Sequence, residues 1–267
     1  MILNTQNNID YYTFENLTAA GGTRHLFSTR HGGASAGEWE SMNLSGLLGD
    51  DPSAVAENFR RIAQLGFPLE DMVFSQQTHE SRVRVVTAGD RGKGIAHKRD
   101  YRGIDGLVTR DPNVTLVTFY ADCVPLYFYD PAQGVIGLSH AGWRGTVGEI
   151  GVRTIEAMAD ACGSKLQDIL VGIGPSICKD CFEVGSEVVD EFTSRFEDFI
   201  APCATYPDKS YIDLQGVNRQ SLVNAGIPFA NIELPGICTK ENPNTFFSHR
   251  VMGSTRGSLA AFLRLTS

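Results

Sequence analysis

Val124-Pro-Leu-Tyr-Phe-Tyr129, Asp130-Pro-Ala-Gln-Gly134, Val135-Ile-Gly-Leu-Ser139 and His140-Ala-Gly-Trp-Arg-Gly145 follow one another without interruption. Two apolar, aromatic and β-branched runs around a Pro/Gly turn predict a hairpin whose second strand runs directly into His140. Beyond it the period changes. Val147, Ile150, Ile155, Met158 and Ala159 recur near one helical face over 146–161, with Gly163 as a stop. A hairpin delivered straight into a helix places His140 at a sheet edge, where connecting segments carry function.

Working outward, Asp105-Gly-Leu-Val-Thr109 and Val114-Thr-Leu-Val-Thr-Phe-Tyr120 read as strands separated by the turn Asp111-Pro-Asn113. A short strand from Met72 ends at Gln77-Thr-His79, and Arg82-Val-Arg-Val-Val86 resumes as strand. Nearer the start, His25-Leu-Phe-Ser-Thr29 runs into the glycine-rich loop Arg30–Gly37, and a helix follows from Pro52 to its stop at Gly66. Downstream come a strand at Ile169–Ile173, a helix at Glu183–Phe192 and a helix at Asp213–Ala225. A strand at Asn231–Leu234 and a closing helix at Ser254–Leu265 complete the order. Because this is no regular βα alternation, the expected fold is α+β, with mixed β-sheets flanked by helices.

The 267 residues suffice for a large core. A net charge of −8 argues against nucleic acid as partner, since phosphate binding needs a basic stripe to displace counterions, and a small-molecule partner is expected instead. Met1–Asp10 lacks the basic and apolar regions of a secretory signal, and no apolar run nears the ~18 residues of a membrane span, so the expectation is a soluble, cytoplasmic protein. The six cysteines are expected as reduced thiols. Cys178-Lys-Asp-Cys181 has metal-clip or redox-pair spacing but no second such pair, and is read as incidental or local structural thiols.

His79, Cys123 and His140 each stand at the end of an apolar run and offer three ligands to one soft-to-borderline metal. Three protein ligands and an open fourth position is the arrangement of catalytic zinc, whereas structural zinc takes four. Taken singly, each residue would more often be a core or loop side chain, and their joint occurrence is what points to a site. Gly142 to Thr146 opens a helix whose free N–H groups favour an anion, and Arg144 adds a guanidinium suited to phosphate or carboxylate. Asp122 cannot share the site with Cys123 unless the strand is broken between them, which Pro125 makes feasible.

The motifs Phe27-Ser-Thr-Arg-His-Gly-Gly33, Gln77-Thr-His79, Asp105-Gly-Leu-Val-Thr-Arg110, Ala121-Asp-Cys-Val-Pro125, His140-Ala-Gly-Trp-Arg-Gly145, Gly174-Pro-Ser-Ile177 with Cys181-Phe-Glu-Val184, and Phe246-Phe-Ser-His-Arg250 resemble, in order, those of the laccase-domain family. That family is also described as polyphenol oxidase-like, purine nucleoside phosphorylase-type or peptidoglycan editing factor. The resemblance runs over nearly the whole chain and implies a single catalytic domain, 1–267, layered α/β/β/α and related to the catalytic domain of a deamidating toxin. It further implies zinc at His79, Cys123 and His140, the same three residues being catalytic. The implied activities are phosphorolysis of adenosine, inosine, guanosine and methylthioadenosine, and deamination of adenosine. Purine nucleosides and phosphate are then the partners, with Arg144, Arg30, Gly142 and Gly145 as candidates to hold substrate. An alternative keeps Cys123 and His140 as an amidase or hydrolase pair acting on a peptidoglycan precursor. The chain departs from the usual pattern at His249, where tyrosine is commoner, and at Thr78, where valine is commoner. Copper is compatible with such ligands, but six histidines and no His-x-His pair cannot build a four-copper oxidase.

Overall fold

The computed structural model describes residues 1–266. The first half contains β1 (Ile2–Gln6), β2 (Ile9–Thr13), α1 (Glu15–Ala20), β3 (Thr23–Ser28), α2 (Pro52–Ala63), β4 (Met72–Phe74), β5 (Val83–Val85), β6 (Gly106–Thr109) and β7 (Thr115–Tyr120). The middle contributes β8 (Val124–Asp130), β9 (Val135–Ala141), α3 (Trp143–Val147), α4 (Ile150–Cys162) and β10 (Leu170–Ile173). The remainder is β11 (Glu183–Gly185), α5 (Ser186–Phe196), β12 (Ile200–Pro202), β13 (Lys209–Ile212), α6 (Leu214–Ala225), β14 (Ile232–Glu233), α7 (His249–Met252) and β15 (Leu259–Leu265).

Two mixed six-stranded sheets, ordered β1-β2-β3-β15-β7-β4 and β14-β10-β8-β9-β6-β5, stack face to face. Phe27, Leu116 and Leu263 from the first interleave with Tyr127, Ile136 and Leu138 from the second. Val55, Phe59 and Ile62 of α2 cover the outer face of the first sheet, while α4 and α6 cover the second. The fold is thus α+β with the layers helix, sheet, sheet, helix.

The central hairpin forms as its sequence indicates, with β8 and β9 antiparallel and Pro125 opposite His140. Along β9 the small residues Gly137 and Ser139 face α4, where a Cβ on Gly137 would come within 2.8 Å of Thr154. The alternate residues Ile136, Leu138 and His140 therefore point between the sheets. α4 can lie close only because the facing residues are small.

Three elements differ from expectation. The segment expected as a closing helix contains β15, which lies between β3 and β7 in the first sheet. Leu259, Ala261 and Leu263 face the second sheet while Ala260 and Phe262 face α2, so both faces are apolar and the alternation that marks a strand is invisible. The helix expected over 146–161 is interrupted: Glu149 has φ 53°, a left-handed conformation that separates α3 from α4, and its carboxylate pairs with Arg195. The helix expected from Glu183 begins instead at Ser186, because Glu183–Gly185 pairs with β13 as β11.

His25, on β3, is buried beside the rings of Phe14 and Tyr127, and its Nε2 accepts the Phe14 N–H at 2.8 Å. Burial pushes this imidazole from its ordinary value near 6.5 down to about 4. A lowered value means the unfolded chain takes up a proton first, so stability is lost as pH falls below 6.5 and the loss is complete below 4. Going from pH 7 to pH 5 is expected to cost about 2 kcal/mol through His25 alone. Urea unfolding at both pH values should show this increment in wild type and not in His25→Gln protein; identical acid sensitivity would refute it.

Candidate metal centre and its cleft

The open end of the second sheet gathers the site from four neighbouring strands. Cys123 immediately precedes β8, His140 is the penultimate residue of β9, Asp105 immediately precedes β6, and His79 lies in the segment leading to β5. Cys123 and His140 meet through the β8–β9 pairing, while β7, the strand that precedes Cys123, belongs to the other sheet. His Nδ1 or Nε2 atoms of His79 and His140 and the Cys123 sulfur all lie within 4.8 Å of one another. The two imidazoles stand edge to face at 4.9 Å, and Tyr120 from the first sheet lies 5.5 Å from His140.

Asp105 builds this cluster. Its buried carboxylate accepts from the consecutive backbone N–H groups of Thr78, His79 and Glu80, at 2.9, 3.1 and 3.1 Å. These bonds hold His79 at φ 61°, a left-handed conformation that a non-glycine residue adopts only when its surroundings impose it. The same carboxylate lies 2.9 Å from His140 Nδ1, which leaves Nε2 for a metal. Gly142 closes the other side: a Cβ there would sit 2.7 Å from His79 Cδ2 and 3.3 Å from Cys123 Sγ. A Cβ on Gly145 would crowd the Glu80 carbonyl at 3.1 Å, so both glycines serve close packing around the cluster.

Burial pushes the Cys123 thiol up, but the His140 imidazolium and hydrogen bonds from both histidines more than reverse this and bring it to about 6. Burial likewise opposes the His140 imidazolium, yet the Cys123 thiolate and the Asp105 hydrogen bond raise it to about 9. Burial also disfavours the Asp105 carboxylate, and its bonds to His140, Thr78 and Glu80 outweigh that and hold it below the usual range. At neutral pH the pair is thiolate and imidazolium. A soft or borderline cation would find the sulfur already ionised and would displace the imidazolium proton. Donor types, spacing and the fixed tautomer of His140 all fit a metal ion with three protein ligands.

His79 and Cys123 of the cluster line an open cleft of about 460 Å³, and His140 is buried beside them. Trp143, Ile177, Phe182 and Leu214 supply its apolar wall, and Arg144, Arg250 and Arg256 its positive charge. The exposed Arg144 guanidinium lies 4.0 Å over the Trp143 ring. Arg30, expected here, lies elsewhere: its side chain donates to the Glu40 and Pro243 carbonyls and covers the Phe247 ring. Asp122 turns away from Cys123 at φ 84° and accepts from the Thr239 and Ser248 hydroxyls and the Arg250 N–H. The strand is indeed broken here, and Asp122 fastens two later loops to the cleft. His249 lines the mouth beside Arg256.

Sequence reasoning missed Asp105, Arg250 and Arg256 as site residues. Asp105 opens one recognised motif and Arg250 closes another, so both carried a signal; Arg256 lies in the segment misread as helix and carried none.

Residues 24–266 match the family described as "Multi-copper polyphenol oxidoreductase laccase". The chain is 36% identical over 243 residues to purine nucleoside phosphorylase YlmD of Bacillus subtilis (strain 168), covering 89% of this chain and 86% of that protein. To adenosine deaminase RL5 of an unknown prokaryotic organism it is 38% identical over 236 residues, covering 86% and 90%. The crystal structure of YlmD from Geobacillus stearothermophilus aligns with a TM-score of 0.88 at 34% identity, covering all of this chain and 99% of that one.

Proposed function

We propose, from the premise that this enzyme belongs to the multi-copper polyphenol oxidoreductase laccase family, that it is a zinc-dependent purine nucleoside enzyme, a phosphorylase that also deaminates adenosine. One observation carries the reading: three metal donors converge, two of them lining a cleft with an apolar wall and a cationic rim. A nucleoside offers the matching parts, an apolar, stackable base and a ribose that meets an anionic phosphate.

His79, Cys123 and His140 would hold the metal, which when bound supplies Lewis acidity and a water of lowered pKa. In the free enzyme Asp105 fixes the proton on His140 Nδ1, so that Nε2 is the nitrogen left for the metal. Trp143, Ile177, Phe182 and Leu214 offer a dry surface to a purine, and Arg144 offers phosphate a guanidinium stacked on the Trp143 ring. Arg250 and Arg256 take the place in the cleft that Arg30 does not fill. Gly142 and Gly145 contribute space rather than contacts.

Protein of measured zinc and copper content, given adenosine, inosine, guanosine and methylthioadenosine, should release free base and the sugar 1-phosphate (ribose 1-phosphate from the first three, 5-methylthioribose 1-phosphate from the last) only with phosphate present. Adenosine alone should give inosine and ammonia. Chelation should abolish both, with recovery on zinc addition. Failure of metal-replete protein to convert any nucleoside overturns the proposal, as does activity that survives chelation and is lost on thiol alkylation, the behaviour of a cysteine hydrolase.

A further inference from the structure

A second group of metal donors lies behind the cleft wall. The sulfurs of Cys178, Cys181 and Cys238 all fall within 4.8 Å of one another, although Cys238 is 60 residues beyond Cys178 in the chain. Three points so spaced share a centre no more than about 2.8 Å from each, within about 0.5 Å of a zinc–sulfur bond length. We propose that Cys178, Cys181 and Cys238 bind a second, structural thiophilic ion, zinc in the first instance, which clips the loop after β10 to the loop after β14.

The surrounding backbone is arranged as such a clip needs. Cys178 and Cys181 flank a turn in which the Cys181 and Phe182 N–H groups both donate to the Cys178 carbonyl, at 3.1 and 3.0 Å. That turn directs the two sulfurs the same way. The Cys178 N–H points at the Cys238 sulfur at 3.4 Å, which ties the two loops together at the cluster itself. The exposed Glu241 has Oε1 3.8 Å from the Cys181 sulfur, outside the three-sulfur group, and would need to swing inward for a carboxylate oxygen to take a fourth position. Cys181 and Cys238 are buried and Cys178 is half-buried, so the ion would enter past Cys178. Among the described residues the two loops share little regular pairing there, a single bridge between Ser176 and Cys238. Loops so joined gain most from a crosslink.

The clip would act on the cleft from behind. Ile177 and Phe182, on either side of the Cys178–Cys181 turn, line it, and the Ile177 N–H donates to the Asp122 carbonyl at 2.9 Å. Thr239, next to Cys238, donates its hydroxyl to Asp122 Oδ1 at 2.6 Å. Both ends of the clip thus meet the residue preceding Cys123.

Wild-type protein, stripped by chelation under reducing conditions, should take up two equivalents of Zn²⁺ per chain. Cys178→Ser should remove one equivalent and Cys123→Ser the other. With Co²⁺, the sulfur-to-cobalt absorbance lost through Cys178→Ser should be about threefold that lost through Cys123→Ser, following the count of thiolates. In the unaltered chain, Zn²⁺ should protect Cys178, Cys181 and Cys238 together from alkylation. Uptake of one equivalent that depends on Cys123 alone overturns the proposal. So does unprotected alkylation of the three thiols, or a disulfide among them that persists in zinc-loaded protein.

Discussion

Cys123→Ser protein is expected to lose nucleoside turnover by at least about a thousandfold, equivalent to ~4 kcal/mol of transition-state stabilisation, together with one equivalent of bound metal. The substitution keeps size and polarity but replaces a thiol that ionises near pH 6 with a hydroxyl that does not ionise in the neutral range. His140 then faces no anion and its imidazolium loses the first cause of its raised value. A metal loses its only sulfur donor, and the two histidines alone give a weak site. His140→Ala should match this in activity and cost more in stability, since it also leaves the buried Asp105 carboxylate without its side-chain partner. Steady-state kinetics with metal analysis on both variants checks the expectation. Full turnover in either would remove the cluster from the chemistry.

Asp105→Asn protein is expected to bind the metal at the His79 cluster about 10- to 100-fold more weakly while retaining all three ligands. One carboxylate oxygen accepts from Thr78 and Glu80 and the other from His79 and His140, so the amide nitrogen of asparagine must face at least one donor. His79 loses the bonds that hold its left-handed backbone, and His140 loses the charge that fixes its tautomer. Loss of this buried pairing should also lower stability by about 3 kcal/mol. Competition with a chromogenic chelator reads the affinity and urea unfolding reads the stability. Wild-type affinity would show that Asp105 is structural only.

Much of this was legible in the sequence. The hairpin into His140 could be read because its turn residues and apolar runs act locally, over a few residues. His79 and Cys123 were visible as donors at strand ends, and the structure brings both to His140. Asp105 escaped because its role is to organise backbone N–H groups and a ring that only the fold brings near. Arg30 and Arg256 exchange places for the same reason: a guanidinium is mobile and its loop decides where it lies. β15 escaped because a strand buried on both faces has the composition of a helix core. Cys238 joins Cys178 and Cys181 through a loop pairing that spacing along the chain does not encode.

β15 also bears on how the chain matures. It is made after the other fourteen strands, yet it inserts between β3 and β7, which until then present two open edges to the surroundings of the growing chain. The first sheet therefore cannot close during synthesis of the residues before it. Tyr120, which supports His140 from that sheet, is registered against Leu259, the first residue of the late strand. A nascent chain halted short of Leu259 would carry every ligand of the His79 cluster without the sheet that backs them.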